Sequence, residues 1–166
     1  ASVQRGPAHL LGAEGQGLTR AFSTLGRVRL AQVAARAVGK ATLVMDMCLE
    51  YVRQRQQFNT SLGDFQLIQK MLADSAIEIN ACRISLWQIA SRIDAGDEMR
   101  AGISMLKIQA SEMLDRVVDR AVQIYGGAGY CTDLPIERYY RDARISRIYD
   151  GTSEIHRVVI AKELIK

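Results

Sequence analysis

The residues able to do chemistry in this sequence gather between Gln123 and Glu154, in the stretch QIYGGAGYCTDLPIERYYRDARISRIYDGTSE. It holds three clustered glycines, one of only two prolines, interleaved Arg and Asp, and an Asp-Gly-Thr-Ser turn. Gly126, Gly127 and Gly129 permit positive φ and a close approach of backbone to a ligand. Gly126 also reads as the ordinary end of a helix. On pattern alone Asp150 reads as a helix N-cap ahead of Gly151-Thr152-Ser153, because a short carboxylate satisfies the free N–H groups there. Arg138, Arg141, Asp142, Arg144 and Arg147 read as a solvated or ion-paired helix face. Seventeen of the 22 basic residues are arginine, which favours phosphate-bearing ligands, since a guanidinium grips phosphate through two parallel hydrogen bonds.

The elements that must position these residues are long helices. Gln16 to about Gln54 carries a helical pattern without proline, interrupted by Gly26 and Gly39, with a close helix crossing as the plain reading of Gly39. A polar turn follows over residues 53–63. Phe65, Ile68, Leu72, Ser75, Ile79, Cys82, Leu86, Ile89 and Ile93 then recur at steps of three and four, the seam of a packed helix. Gly96 reads as its stop and Asp97 as a cap for the next helix. That third helix carries Ile103, Leu106, Ala110, Met113, Val117, Ala121 and Ile124. Pro135 opens a short helix, and a last one runs from about Thr152 to Lys166 with Ile155, Val158, Val159 and Leu164 inward. Short loops between long helices predict an all-α fold, an up-down four-helix bundle with an additional short helix and a C-terminal helix.

At 166 residues the chain can bury a real core. Its 48% hydrophobic and 24% charged content is that of an ordinary globular domain. The net charge of +4 is spread in mixed sign, and basic runs interleaved with aromatics are missing, which argues against nucleic acid as a partner. Apolar runs stop well short of a membrane span. Cys48, Cys82 and Cys131 are odd in number and far apart, and His9 and His156 are isolated from them. This argues against a disulfide framework or a metal site and favours a reducing compartment, cytoplasmic or, in a eukaryote, the mitochondrial matrix. Residues 1–15 read as an irregular lead-in from a further domain upstream, and residues 16–166 as the bundle. The start at Ala1, with no initiator Met or targeting segment, suggests a piece of a longer protein.

Four stretches in order resemble the acyl-CoA dehydrogenase family, specifically its C-terminal helical domain. They are Arg55-Gln56-Gln57-Phe58 with Gln66 downstream, Gln123 to Tyr130, Tyr139 to Arg144, and Ile148 to Ile155. The lead-in Leu10-Leu11-Gly12-x-x-Gly15-x-Gly17 also looks like the family's passage from β-domain to bundle. Asn59 and Ser61 depart from the family's usual Gly-Lys.

The resemblance implies an FAD-dependent enzyme that removes a proton from Cα and a hydride from Cβ of an acyl-CoA thioester. An N-terminal helical domain and a middle β-domain would hold much of the pocket, so the 166 residues are expected to be inactive alone. Asp150 stands where the family usually has a glutamate base. It is one methylene shorter, with reach reduced by roughly 1.5 Å, where about 1 Å of misplacement can cost a hundredfold. A base that some branches carry on the first helix would fall at Gly26 and is missing. FAD contacts are implied for Arg55, Phe58, Gln66, Gln123, Gly126, Gly127, Thr152, Ser153 and Glu154, and substrate contacts for Arg27, Tyr149 and Gly151. The resemblance further implies a homo-oligomer, dimer or tetramer, sharing sites across a subunit boundary, and an electron acceptor such as an electron-transfer flavoprotein. An oxidase-type relative, or a bundle that assembles subunits and completes the FAD site without chemistry, are the competing readings.

Overall fold

A computed structural model describes residues 6, 9–21 and 33–166. Pro7, Phe22, Leu25, Gly26, Arg27 and Val28 lie outside the described residues. Residues 17–21 are helical, and a π-type turn at 33–35 leads into α1, Arg36–Gln54. A two-residue hairpin follows, β1 Gln56–Gln57 against β2 Thr60–Ser61, paired antiparallel with Gln57 opposite Thr60. A 3-10 turn, Leu62–Asp64, delivers the chain to α2, Gln66–Asp94. The next helices are α3, Arg100–Tyr125, the single turn α4, Gly127–Tyr130, and α5, Ile136–Arg144. A second 3-10 turn, Ile145–Arg147, precedes α6, Ser153–Leu164. The all-α bundle expected from the periodicity is the fold observed.

Helix α3 is the centre. It packs against α1, α2, α4, α5 and α6, so it must bury more than one face. Leu106, Ala110, Met113, Val117 and Ala121 form its apolar stripe. Ser104, Lys107, Ser111, Leu114 and Val118 form a second buried stripe at the same heptad spacing. The apolar residues of α3 share one core with Ala41, Val44, Cys48 and Val52 of α1 and Ile79, Cys82 and Ile89 of α2. Burial pushes the thiol of Cys48 up to about 12 and that of Cys82 up to about 11, so both act as small apolar groups at neutral pH.

Several expectations are corrected. Gly39 is exposed, and a Cβ there would meet nothing within 4 Å, so it does not mark a close helix crossing. Asp97 does not cap α3; that helix starts after Met99, and Asp97 instead pairs with Arg92 at 2.8 Å. On α6 the inward residues are Ser153 and His156, while Ile155, Val158 and Leu164 are exposed. The face of α6 turned to α3 meets the polar stripe of Ser104 and Lys107, which needs polar partners. Of the polar stretch 53–63, residues 56–61 form the hairpin, between the last residues of α1 and the 3-10 turn.

Candidate active site

Two consecutive residues in the turn before α6 have left-handed backbone, Asp150 with φ 55° and Gly151 with φ 95°. Asp tolerates that region better than most residues. Gly151 has less choice, because a Cβ there would sit 3.0 Å from His156 Nε2. Two buried side chains hold the turn from beneath. Lys107, 0% exposed, donates from Nζ to the Gly151 carbonyl at 2.7 Å, a charge-assisted bond. His156, 3% exposed, places Nε2 3.2 Å from the Asp150 carbonyl and Nδ1 3.0 Å from Ser104 Oγ. A carbonyl only accepts, so Nε2 carries the hydrogen and donates, and in the neutral ring Nδ1 accepts from the Ser104 hydroxyl.

Thr152 is the N-cap of α6, its Oγ1 accepting from the Ile155 N–H at 3.3 Å. Asp150 lies two residues upstream and is therefore not the cap, which removes the plain reading of that carboxylate. Its side chain is half-buried. Ser153 is fully buried, with no hydrogen-bond partner for Oγ among the described residues. Exposed Glu154 has its carboxyl held below the usual range by hydrogen bonds from its own N–H and from the Thr152 side chain. Tyr149 borders a cleft of about 250 Å³ with Arg36, Lys40, Leu114 and Ser146.

A second cluster lies at the far end of α3. Gly126 ends that helix with φ 59°, as its type suggested, and Gly126 and Gly127 are exposed with nothing within 4 Å of a Cβ. Gln123 is exposed one turn earlier. Tyr125 stacks on Tyr51 and its hydroxyl reaches the Met47 carbonyl at 2.9 Å, which brings this end of α3 to the end of α1. There the hairpin carries exposed Arg55 and Phe58, and α2 begins with exposed Gln66. Phe58 is 89% exposed and, like Asn59, has positive φ (54° and 60°), the pattern of a type I′ hairpin turn. It makes an edge contact with Phe65, ring centroids 6.5 Å apart.

The sequence-derived site residues thus fall into two groups, and one chain does not bring them together. Lys107, under the Asp150 turn, and Gly126 are nineteen residues apart on α3, about 28 Å at 1.5 Å per residue. Arg27 lies outside the described residues. Of the arginines read as a solvated or ion-paired helix face, Arg141, Arg144 and Arg147 line a groove of about 740 Å³ between α3 and α5, together with Arg116 and Arg120, while Arg138 lies outside it and pairs with Asp142 at 3.8 Å. Four of the five groove arginines are ion-paired: Arg147 with Asp115, Arg141 with Glu137, and both Arg116 and Arg120 with Glu78.

Sequence reasoning missed Lys107, Ser104 and the role of His156. A signal was present: Lys107 is four residues after Ile103 and three before Ala110, on the core face of the helix. Among the described residues no group of His, Cys, Asp and Glu could hold a metal ion, and no helix is long and apolar enough to cross a membrane.

A family model described as acyl-CoA dehydrogenase, C-terminal domain, matches residues 15–165. Acryloyl-CoA reductase (NADH) of Anaerotignum propionicum is 43% identical over 159 residues, 96% of this chain and 40% of that protein. The solved structure of butyryl-CoA dehydrogenase from Megasphaera elsdenii superposes with a TM-score of 0.90 at 38% identity, covering 94% of this chain and 40% of that one. A structure of PigA with FAD and proline gives a TM-score of 0.89 at 29% identity, covering 93% of this chain and 40% of that one. The chain spans about 40% of the length of the curated relatives it matches.

Proposed function

The chain belongs to the acyl-CoA dehydrogenase family as its C-terminal helical domain, and from that premise we propose that it serves an FAD-dependent α,β-dehydrogenation of an acyl-CoA thioester. The observation that carries this reading is the turn at Asp150. It is a left-handed backbone clamped from beneath by Lys107 and His156, ahead of a helix that Thr152 rather than Asp150 caps.

In this reading Asp150 takes the α-proton of the thioester. Gly151 leaves space beside it, and Tyr149 and Arg27 contact the acyl-CoA. The α-proton is too weakly acidic for a carboxylate alone, so backbone N–H groups at the start of α6 polarise the thioester carbonyl. FAD, when bound, accepts the hydride from Cβ.

The residues at the far end of the bundle fit a dinucleotide. Exposed Gly126 and Gly127 with open space above them, exposed Phe58, and the Arg55 guanidinium offer a flat surface, an aromatic face and a phosphate grip. Gln66 and Gln123 add amides there, and Thr152 and Glu154 contact the flavin from the other cluster. Ser153 is withdrawn from the surface of this chain.

The separation of about 28 Å along α3 supports a site completed by a second copy, whose glycine-and-hairpin end meets the first copy's Asp150 turn. The exposed apolar residues Leu67, Ile77, Ile84 and Trp87 on α2 support the same homo-oligomeric reading, as a dimer or tetramer. Electrons then leave to an acceptor such as an electron-transfer flavoprotein, and the parts of the pocket outside residues 16–166 come from further domains of a longer chain.

The test uses the full-length protein with FAD bound, mixed with acyl-CoAs of different length and branching while flavin absorbance is followed. Bleaching with at least one thioester is expected, and Asp150→Asn should slow it by about a hundredfold or more, as expected for loss of a general base. Asp150→Glu keeps a carboxylate on a longer reach and should bleach the flavin faster than the Asn variant, which has no base. Turnover left intact in Asp150→Asn would refute the assignment of the base.

A further inference from the structure

We propose that Lys107 and His156 are positioning residues for α-proton abstraction, fixing the Asp150–Gly151 turn from a buried clamp. The inference rests on the reading of Asp150 as the base. Burying an ammonium is costly, and a methionine would fill similar volume without that cost. What methionine lacks is a donor for a carbonyl. Lys107 supplies one to Gly151, at 2.7 Å, and His156 supplies one to Asp150, at 3.2 Å. Ser104, 4% exposed, completes the device by holding the imidazole tautomer through Nδ1.

The consequence follows from the planarity of the peptide. No cis bond occurs among the described residues, and in a trans peptide the C=O and the next N–H point opposite ways. With the Asp150 and Gly151 carbonyls both drawn onto the clamp, the N–H groups of Gly151 and Thr152 face away from Lys107 and His156. The clamp therefore sets two things at once: the backbone from which the Asp150 carboxylate extends, and the direction in which two donors point. A side chain one methylene short of the family's usual glutamate depends on such fixing, since a base must stand within hydrogen-bond reach of the proton it takes.

The experiment compares the full-length, FAD-loaded protein with its Lys107→Met, His156→Leu and His156→Gln variants. The readings are kcat and KM for an acyl-CoA with an artificial electron acceptor, FAD content, and exchange of the substrate α-hydrogen with deuterium oxide. Expected for His156→Leu is a fall of about tenfold or more in kcat and in exchange, with KM within about twofold and FAD content unchanged, the signature of an interaction made in the transition state. His156→Gln keeps an N–H donor and should recover kcat to within about threefold of the parent. Lys107→Met should fall by about a hundredfold if the turn shifts by about 1 Å. If that variant does not fold, the two His156 variants decide alone.

His156→Leu with unchanged kcat and exchange would overturn the inference, and so would equal losses in the Leu and Gln variants. An inactive Asp150→Asn beside an unaffected His156→Leu would sink the clamp alone. An active Asp150→Asn would sink the base assignment on which it rests.

Discussion

Tyr125, the last residue of α3, stacks on Tyr51 of α1 with ring centroids 4.0 Å apart and planes 17° from parallel. Its hydroxyl donates to the Met47 carbonyl at 2.9 Å. These contacts fix where α3 stops relative to the end of α1, from which Arg55 and the hairpin carrying Phe58 continue. Burial raises the Tyr125 hydroxyl to about 12, so it remains a donor throughout the neutral range.

The two kinds of glycine just past Tyr125 should behave oppositely. A Cβ at Gly129 would lie 2.7 Å from Tyr125 Cβ and 3.0 Å from the Val122 carbonyl. Gly129→Ala should therefore cost about 1–3 kcal/mol of stability through overpacking. A Cβ at Gly127 meets nothing within 4 Å, so Gly127→Ala should leave the urea midpoint unchanged or slightly raised while lowering FAD affinity. Unchanged FAD affinity in Gly127→Ala would remove that residue from the cofactor site.

Phe58 combines an unfavourable backbone with an aromatic ring left in water. Phe58→Gly should relieve about 1 kcal/mol of left-handed strain and raise the melting temperature of the apo domain. The same change should weaken FAD retention on dialysis. Stability and cofactor affinity moving in opposite directions is the outcome expected if the ring is kept for a ligand; a fall in both would make it a structural residue.

Glu78 on α2 accepts from Arg116 at 2.9 Å and from Arg120 at 2.8 Å on α3. Burial alone would raise its carboxyl, but these bonds and the two positive charges outweigh it and hold the group below 4.5. A folded-state value below the unfolded one gives stability that is present above about pH 4.5 and lost as pH falls through the folded value. Glu78→Gln should cost about 1 kcal/mol at neutral pH, and denaturation curves should show the gap to the parent closing below about pH 4.5. Asp115 titrates in the opposite sense, raised by burial despite its bond from Arg147, and the comparison cancels it because both proteins carry it.

The helices were legible because their patterns are local. The seam from Phe65 to Ile93 became α2, the run from Ile103 to Ile124 became α3, and Pro135 stands at the start of α5. The motifs at Gln123–Tyr130 and Ile148–Ile155 pointed to the family, which the match over residues 15–165 shows. The inward face of α6 does not follow its apolar residues, because Ser153 and His156 face inward, and Asp97, a residue of capping type, pairs with Arg92 instead of capping α3.

By itself the sequence determined the helical class, the helix ends at Gly96, Gly126 and Pro135, and the family, since periodicity, glycine and proline conformation and motif order are properties of neighbouring residues. Only the tertiary structure decided that Thr152 rather than Asp150 caps α6, that Lys107 and His156 grip the Asp150 turn, and that the turn and the glycine cluster lie at opposite ends of α3. Lys107 and Gly151 are 44 residues apart in the chain. No local spacing encodes that meeting; it arises because the central helix buries a polar stripe whose donors must find acceptors wherever the packed chain supplies them.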